Sequence, residues 1–112
     1  MSPAIEFLSD ARNYARQAAH FVDGVDYASF ARDEMRKSAV CFCIVVVAEA
    51  CNLGKQQLRE APGDIPWERI KGMRNILIHT YWLIDDAIVF EVARDHASVL
   101  ADRLDRLIET LS

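Results

Sequence analysis

From Tyr27 to Leu53 the chain carries neither proline nor glycine, and within that stretch Ala39–Ala48 (AVCFCIVVVA) is apolar at ten consecutive positions. Ten residues fall well short of the about 20 that a membrane span takes. The β-branched run Ile44–Val47 could suit a strand, but Ala39, Ala48, Glu49 and Ala50 flank it and no turn signal interrupts it, which favours a helix. A helix apolar on every side needs neighbours on most sides, so this one is expected at the centre of a helical bundle.

The rest of the chain supplies those neighbours. Ser2-Pro3 is a helix start, with Ser as cap and Pro in the first turn. Ile5, Leu8, Ala15, Ala19 and Val22 then recur at helical spacing, leaving Arg12 and Arg16 for solvent. Asp23-Gly24-Val25-Asp26 ends this helix, and Asp26 can cap the next, which is expected to run unbroken from Tyr27 to a stop at Gly54. A short helical extension and a Pro-Gly-Asp turn precede Pro66, which opens a third main helix with a stripe of Trp67, Ile70, Leu77 and Tyr81. Asp85 can cap a helix through Val92, and Asp95 can start another, with Val99/Leu100, Leu104, Leu107/Ile108 and Leu111 towards the core. No period-two strand or internal repeat appears. The expected architecture is all-α, an up-and-down bundle of four or five helices around one long apolar helix, in a single domain over residues 1–112. At 112 residues with 52% apolar side chains, such a domain can bury a core without a disulfide or metal.

The three cysteines, Cys41, Cys43 and Cys51, lie in or beside the apolar run, as reduced thiols would. Cys41 and Cys43 are two apart and face nearly opposite sides of a helix, so no metal site is expected of them. The first twenty residues mix charged and apolar side chains, unlike a secretory leader, and a cytoplasmic location is expected.

Thirteen basic residues against seventeen acidic ones give a net charge of −4, which excludes a broadly basic mode of nucleic-acid binding. The charge is uneven. Residues 68–84 carry Arg69, Lys71 and Arg74 against Glu68 alone, while residues 85–112 carry three basic and seven acidic groups. The positive segment also holds His79 and Tyr81, so residues 74–81 (RNILIHTY) unite a permanent cation, a group titrating near neutrality and a phenol. At about 100° per residue, Arg74 and His79 point about 140° apart, whereas Asn75 and His79 share a face. A straight helix does not aim Arg74 and His79 at one point. Two copies paired across a two-fold axis would bring two of each together.

Residues 64–81 (DIPWERIKGMRNILIHTY) resemble the signature of HEPN-domain proteins of the HepT toxin type, an Arg-x4-His-x-Tyr motif after a Pro-Trp helix start. Arg74, His79 and Tyr81 fall on it in register. Ala48-Glu49-Ala50 is similar to the family's Gly-Glu-Ala, and Ile84-Asp85 with Val89–Val92 to its following helix. Thr80 stands where relatives often carry an acidic residue. The resemblance spans roughly residues 5–107. It implies a HEPN-like bundle and a metal-independent endoribonuclease toxin without cofactor, with Arg74 and His79 catalytic and Asn75 and Glu49 auxiliary. It further implies a homodimer acting on RNA, restrained by a minimal nucleotidyltransferase (MntA-like) antitoxin that attaches AMP to Tyr81. The same surface also fits a non-catalytic partner that presents substrate to a nucleotidyltransferase.

Other candidates carry less. Glu49 sits among apolar residues and either orients Arg74 or His79 or is a satisfied core group. His20 and His96 lie near helix ends, as solvated imidazoles do, and Trp67 and Trp82 suit core or interface positions. The sequence contains no Gly-rich phosphate loop, no HExxH and no nucleophile elbow.

Overall fold

A computed structural model describes residues 2–80 and 83–112. Their order is α1 (Pro3–Val22), α2 (Tyr27–Arg32), α3 (Glu34–Gln56), α4 (Trp67–Thr80), α5 (Asp86–Glu91), a π-helical turn (Val92–His96) and α6 (Ala97–Leu111). The all-α expectation holds, and the described residues contain no strand.

Side-chain caps set the helix starts. Ser2 Oγ accepts from Ala4 N (3.2 Å), Asp26 from Ser29 N (2.7 Å), Asp33 from Arg36 N (3.0 Å) and Asp85 from Ala87 N (2.8 Å). Each satisfies an amide that a helix start leaves without an internal partner. Between α1 and α2 the chain turns at Gly24, whose φ of 71° lies in the left-handed region that glycine enters without steric cost.

α1, α3 and α6 pack together, and α4 lies along α3. The α1 face that meets α3 and α6 is mostly alanine (Ala4, Ala11, Ala15 and Ala18, with Leu8 and Val22), so backbones come close there. Gly54 completes the fit. A β-carbon at this position would lie 2.8 Å from Leu8 Cδ2, and Leu8 has no exposed surface in which to move aside. The core has two parts along α1 and α3. One gathers Leu8, Val47, Cys51 and Leu104; the other gathers Phe30, Val40, Leu77 and Phe90.

Four expectations about the elements are corrected. The helix expected from Tyr27 to Leu53 is two, because Asp33 (φ −102°, ψ 90°) leaves helical geometry to cap α3 with its own carboxylate. Gly54 does not stop α3 but is buried inside it, and the helix runs to Gln56, so the expected extension is only two residues longer than that stop. Asp95 starts no helix. It lies in the π-helical turn, where Ala97 N donates to Val92 O, and its carboxylate binds Arg94. On α6 Leu104, Leu107 and Ile108 are buried and Leu100 packs against the core as expected, together with Ala97 and Ala101, whereas Val99 is exposed on the far side and Leu111 is exposed at the last residue of the helix.

The central helix is also less enclosed than its composition suggests. α3 is long and apolar enough, by length and composition alone, to cross a membrane, with a mean hydropathy of 1.6 over 18 residues. Val40, Cys43, Ile44, Val47, Ala48 and Cys51 instead pack in the core. Phe42 (60% exposed) and Leu53 (38% exposed), together with Glu49 and half-buried Val46, form the side left open.

Candidate functional site

α4 and the open side of α3 carry the motif residues. Trp67, Ile70, Met73 and Leu77 turn towards the core, and Trp67 Nε1 donates to Pro62 O (3.0 Å), fixing the entry of α4. Of the expected stripe, Leu77 is fully buried and Trp67 and Ile70 are half-buried; Tyr81 and Trp82 lie outside the described residues.

Next to this core face stands Arg74. Its Nε donates to Glu49 Oε1 of α3 and its Nη1 to Asn75 Oδ1 (3.1 Å). Glu49 thus meets Arg74, one of the two partners open to it from sequence. The side chains of Arg74 and Glu49 retain 29% and 36% exposure, so the pair contributes only about 0–1 kcal/mol to folding. Its consequence is geometric: the guanidinium is held at two nitrogens, while Nη2 has no hydrogen-bond partner among the described residues. A preset arginine with a free edge can receive a phosphate oxygen.

His79 stands apart. It is exposed, and no hydrogen bond or ion pair to it forms among the described residues. Asn75 shares its face of the helix but gives its side-chain oxygen to Arg74 instead. α4 stays helical through Thr80, so Arg74 and His79 diverge within one chain as helical spacing requires. Thr80 Oγ1 donates to Ile76 O (3.0 Å), tying that hydroxyl to the backbone rather than to the imidazole. Around these groups Ile76, Ile78, Phe42 and Leu53 are exposed apolar side chains.

α4 runs antiparallel to α3. Glu49 faces Arg74 near one end of the contact, and Lys55 Nζ meets Glu68 Oε1 at 3.4 Å near the other. Between these pairs opens a small cleft of about 40 Å³, to which Asn52 and Lys71 contribute. Sequence reading counts Lys71 among the basic residues of this segment without placing it in the site. The available signal was its spacing, three and four residues before Arg74 and Asn75.

Elsewhere, His20 and His96 are exposed near helix ends, as expected. Arg12 and Arg16, assigned to solvent, both pair with Asp105 of α6 (2.8 and 3.2 Å), tying α1 to α6. The three cysteines are free thiols, Cys43 and Cys51 buried and Cys41 half-buried. Among the described residues no group of three or more His, Cys, Asp or Glu side chains is placed to hold a metal ion.

Residues 11–107 match the family described as Ribonuclease HepT-like. The chain belongs to the HepT-like ribonuclease family. It is 30% identical over 105 residues to "Putative RNase MJ0125" of Methanocaldococcus jannaschii, covering 94% of this chain and 90% of that protein. It is also 30% identical over 89 residues to "Putative RNase MJ1380" of the same organism, covering 80% and 82%. "Probable ribonuclease HepT" of Thermococcus cleftensis is 21% identical over 102 residues, covering 91% and 93%. No solved structure matches the chain significantly. Membership places this chain among endoribonucleases at family level, and Arg74, Asn75 and His79 lie within the matched residues.

Proposed function

We propose that the protein is the toxin of a toxin–antitoxin pair, a homodimeric endoribonuclease that cuts RNA at a site built from Arg74 and His79 of both copies. The observation that carries this reading is the open side of α3. Phe42, Leu53 and Ile78 are exposed apolar side chains on the same side as Arg74, and the helix offering that side otherwise belongs to the core. Pairing two such faces about a two-fold axis covers the apolar surface and brings the diverging Arg74 and His79 groups to one cleft.

In that cleft an imidazole takes the proton of a ribose 2′-hydroxyl, and the 2′-oxygen attacks the adjacent phosphorus. The bond to the 5′-oxygen breaks, a second imidazole protonates the leaving oxygen, and a 2′,3′-cyclic phosphate remains. Arg74, oriented by Glu49 and Asn75, stabilises the charge that grows on the phosphoryl oxygens. No step requires a metal ion. Regulation follows the family resemblance: a nucleotidyltransferase antitoxin transfers AMP from a nucleoside triphosphate to the Tyr81 hydroxyl, releasing pyrophosphate. The added bulk and negative charge would then stand in the basic segment and repel RNA. The protein would act in the cytoplasm.

His79→Ala is the direct test. Expression of the wild type should arrest growth, purified protein should cut RNA in excess chelator, and the variant should do neither while remaining folded. Equal cutting by both proteins removes His79 from the mechanism. A folded wild type that never cuts RNA but binds its nucleotidyltransferase would instead make it the non-catalytic partner. Co-expression with the transferase should add mass in AMP steps, and Tyr81→Phe should abolish the gain.

A further inference from the structure

The antiparallel contact of α3 and α4 forms a ladder with a rung every three residues. Glu49 faces Arg74 and Lys55 faces Glu68, each an ion pair. The rung between them sets half-buried Asn52 across from exposed Lys71, a neutral amide opposite a cation. Lys71 has no carboxylate within 4.0 Å among the described residues, so its charge is uncompensated where both neighbouring rungs are neutral pairs. Arg69, the other cation of this segment without an ion pair among the described residues, lies two residues earlier and so about 200° around the helix, away from the cleft.

We propose that this middle rung is a second phosphate subsite, holding the phosphate next to the one that is cut, with Lys71 as its cation and Asn52 as a hydrogen-bond donor. The proposal rests on the ribonuclease reading above and names how that site holds its strand. Lys71 lies three and four residues before Arg74 and Asn75, on the same side of α4 and about one helical turn along it, roughly 4.5–6 Å. Such an offset suits consecutive phosphates of an extended strand. The cleft floor beneath the rung is apolar (Ala48, Cys51, Ile70), so a phosphate would rest at its mouth, on Lys71 and the Asn52 amide, with its outer oxygens in water. In a chain of net charge −4, anchoring a strand at a few local cations is also what limits adventitious RNA binding.

The test compares a uridine dinucleotide, with one internal phosphate, and a uridine hexanucleotide, using Lys71→Gln, Asn52→Asp and Lys71→Arg. Lys71→Gln should lower the ratio of kcat/KM on hexamer to dinucleotide roughly fivefold, through KM, and make the salt dependence of hexamer binding shallower by about one phosphate contact. Asn52→Asp, which gives the middle rung its own ion pair, should act in the same direction, and Lys71→Arg should restore the ratio. An unchanged ratio with Lys71→Gln, or equal losses on both substrates, overturns the subsite. A wild type that cuts neither substrate ends the ribonuclease reading. In that case, binding of the 2′-O-methyl dinucleotide and hexanucleotide, compared between wild type and Lys71→Gln, still decides the subsite: selective weakening on the hexanucleotide supports it, and an unchanged ratio or equal losses overturn it.

Discussion

Gly54 and Cys51 show how single residues set the limits of this fold. Gly54 lets α3 approach α1 at Leu8, where a β-carbon would sit 2.8 and 3.0 Å from the Leu8 side chain. Gly54→Ala gains about 1 kcal/mol of helix propensity. It meets an overpacking cost of about 1–3 kcal/mol, because Leu8 is enclosed on every side. The expected outcome is a lower urea midpoint with unchanged m, and an unchanged or higher midpoint would show that α1 yields freely. Cys51 is buried in the same part of the core, and that burial pushes its thiol up to about 12. In the native protein at pH 8, a thiol reagent should modify Cys41 first and reach Cys51 only after denaturant is added. Prompt native labelling of Cys51 would contradict its burial. The cysteines could be read from sequence as buried thiols. Gly54 read as a helix stop, because its role depends on a residue 46 positions away.

The caps govern the elements. The Arg36 backbone N–H, then its side chain, hold the Asp33 carboxylate below its ordinary value of 3.8. Hydrogen bonds from Arg12, then Arg16, hold Asp105 below it as well. A carboxylate with a depressed folded pKa stabilises the native state fully above its unfolded value, and that contribution is lost as pH falls through the folded value. Stability should therefore be flat in pH above about 5 from these groups and fall as pH drops below about 4. Asp33→Asn, which can still cap but does not titrate, should lose less stability over that interval than the wild type, as followed by urea denaturation at each pH. An identical acid dependence would remove Asp33 as a contributor. The sequence offered Asp26 and Asp85 as caps from their place before helical runs. Asp33 was hidden inside a run with no glycine or proline, where a break depends on how α2 and α3 pack.

For the whole molecule the question is which surfaces are covered. The bundle measures 42 × 28 × 22 Å, and its long central helix keeps an apolar side in water. If that side pairs with a second copy, Phe42→Glu should shift the protein to a monomer in sedimentation and abolish RNA cleavage. Its fold should change little, since Phe42 is 60% exposed in one chain. A variant that remains dimeric, or a monomer that cuts normally, would place the interface or the site elsewhere.

The sequence by itself determined the class of the fold, the positions of most helices and the segment that carries Arg74, His79 and Tyr81. These follow from local rules: helical spacing of apolar residues, cap chemistry and a motif whose members lie within eight residues of one another. Only the tertiary structure decided that Glu49 holds Arg74, that Asn52 faces Lys71, that Gly54 admits Leu8 and that one side of α3 stays open. Each of those joins residues from separate helices or depends on what another helix leaves uncovered. Spacing along one chain fixes directions around a helix axis, but packing fixes which neighbour stands in each direction.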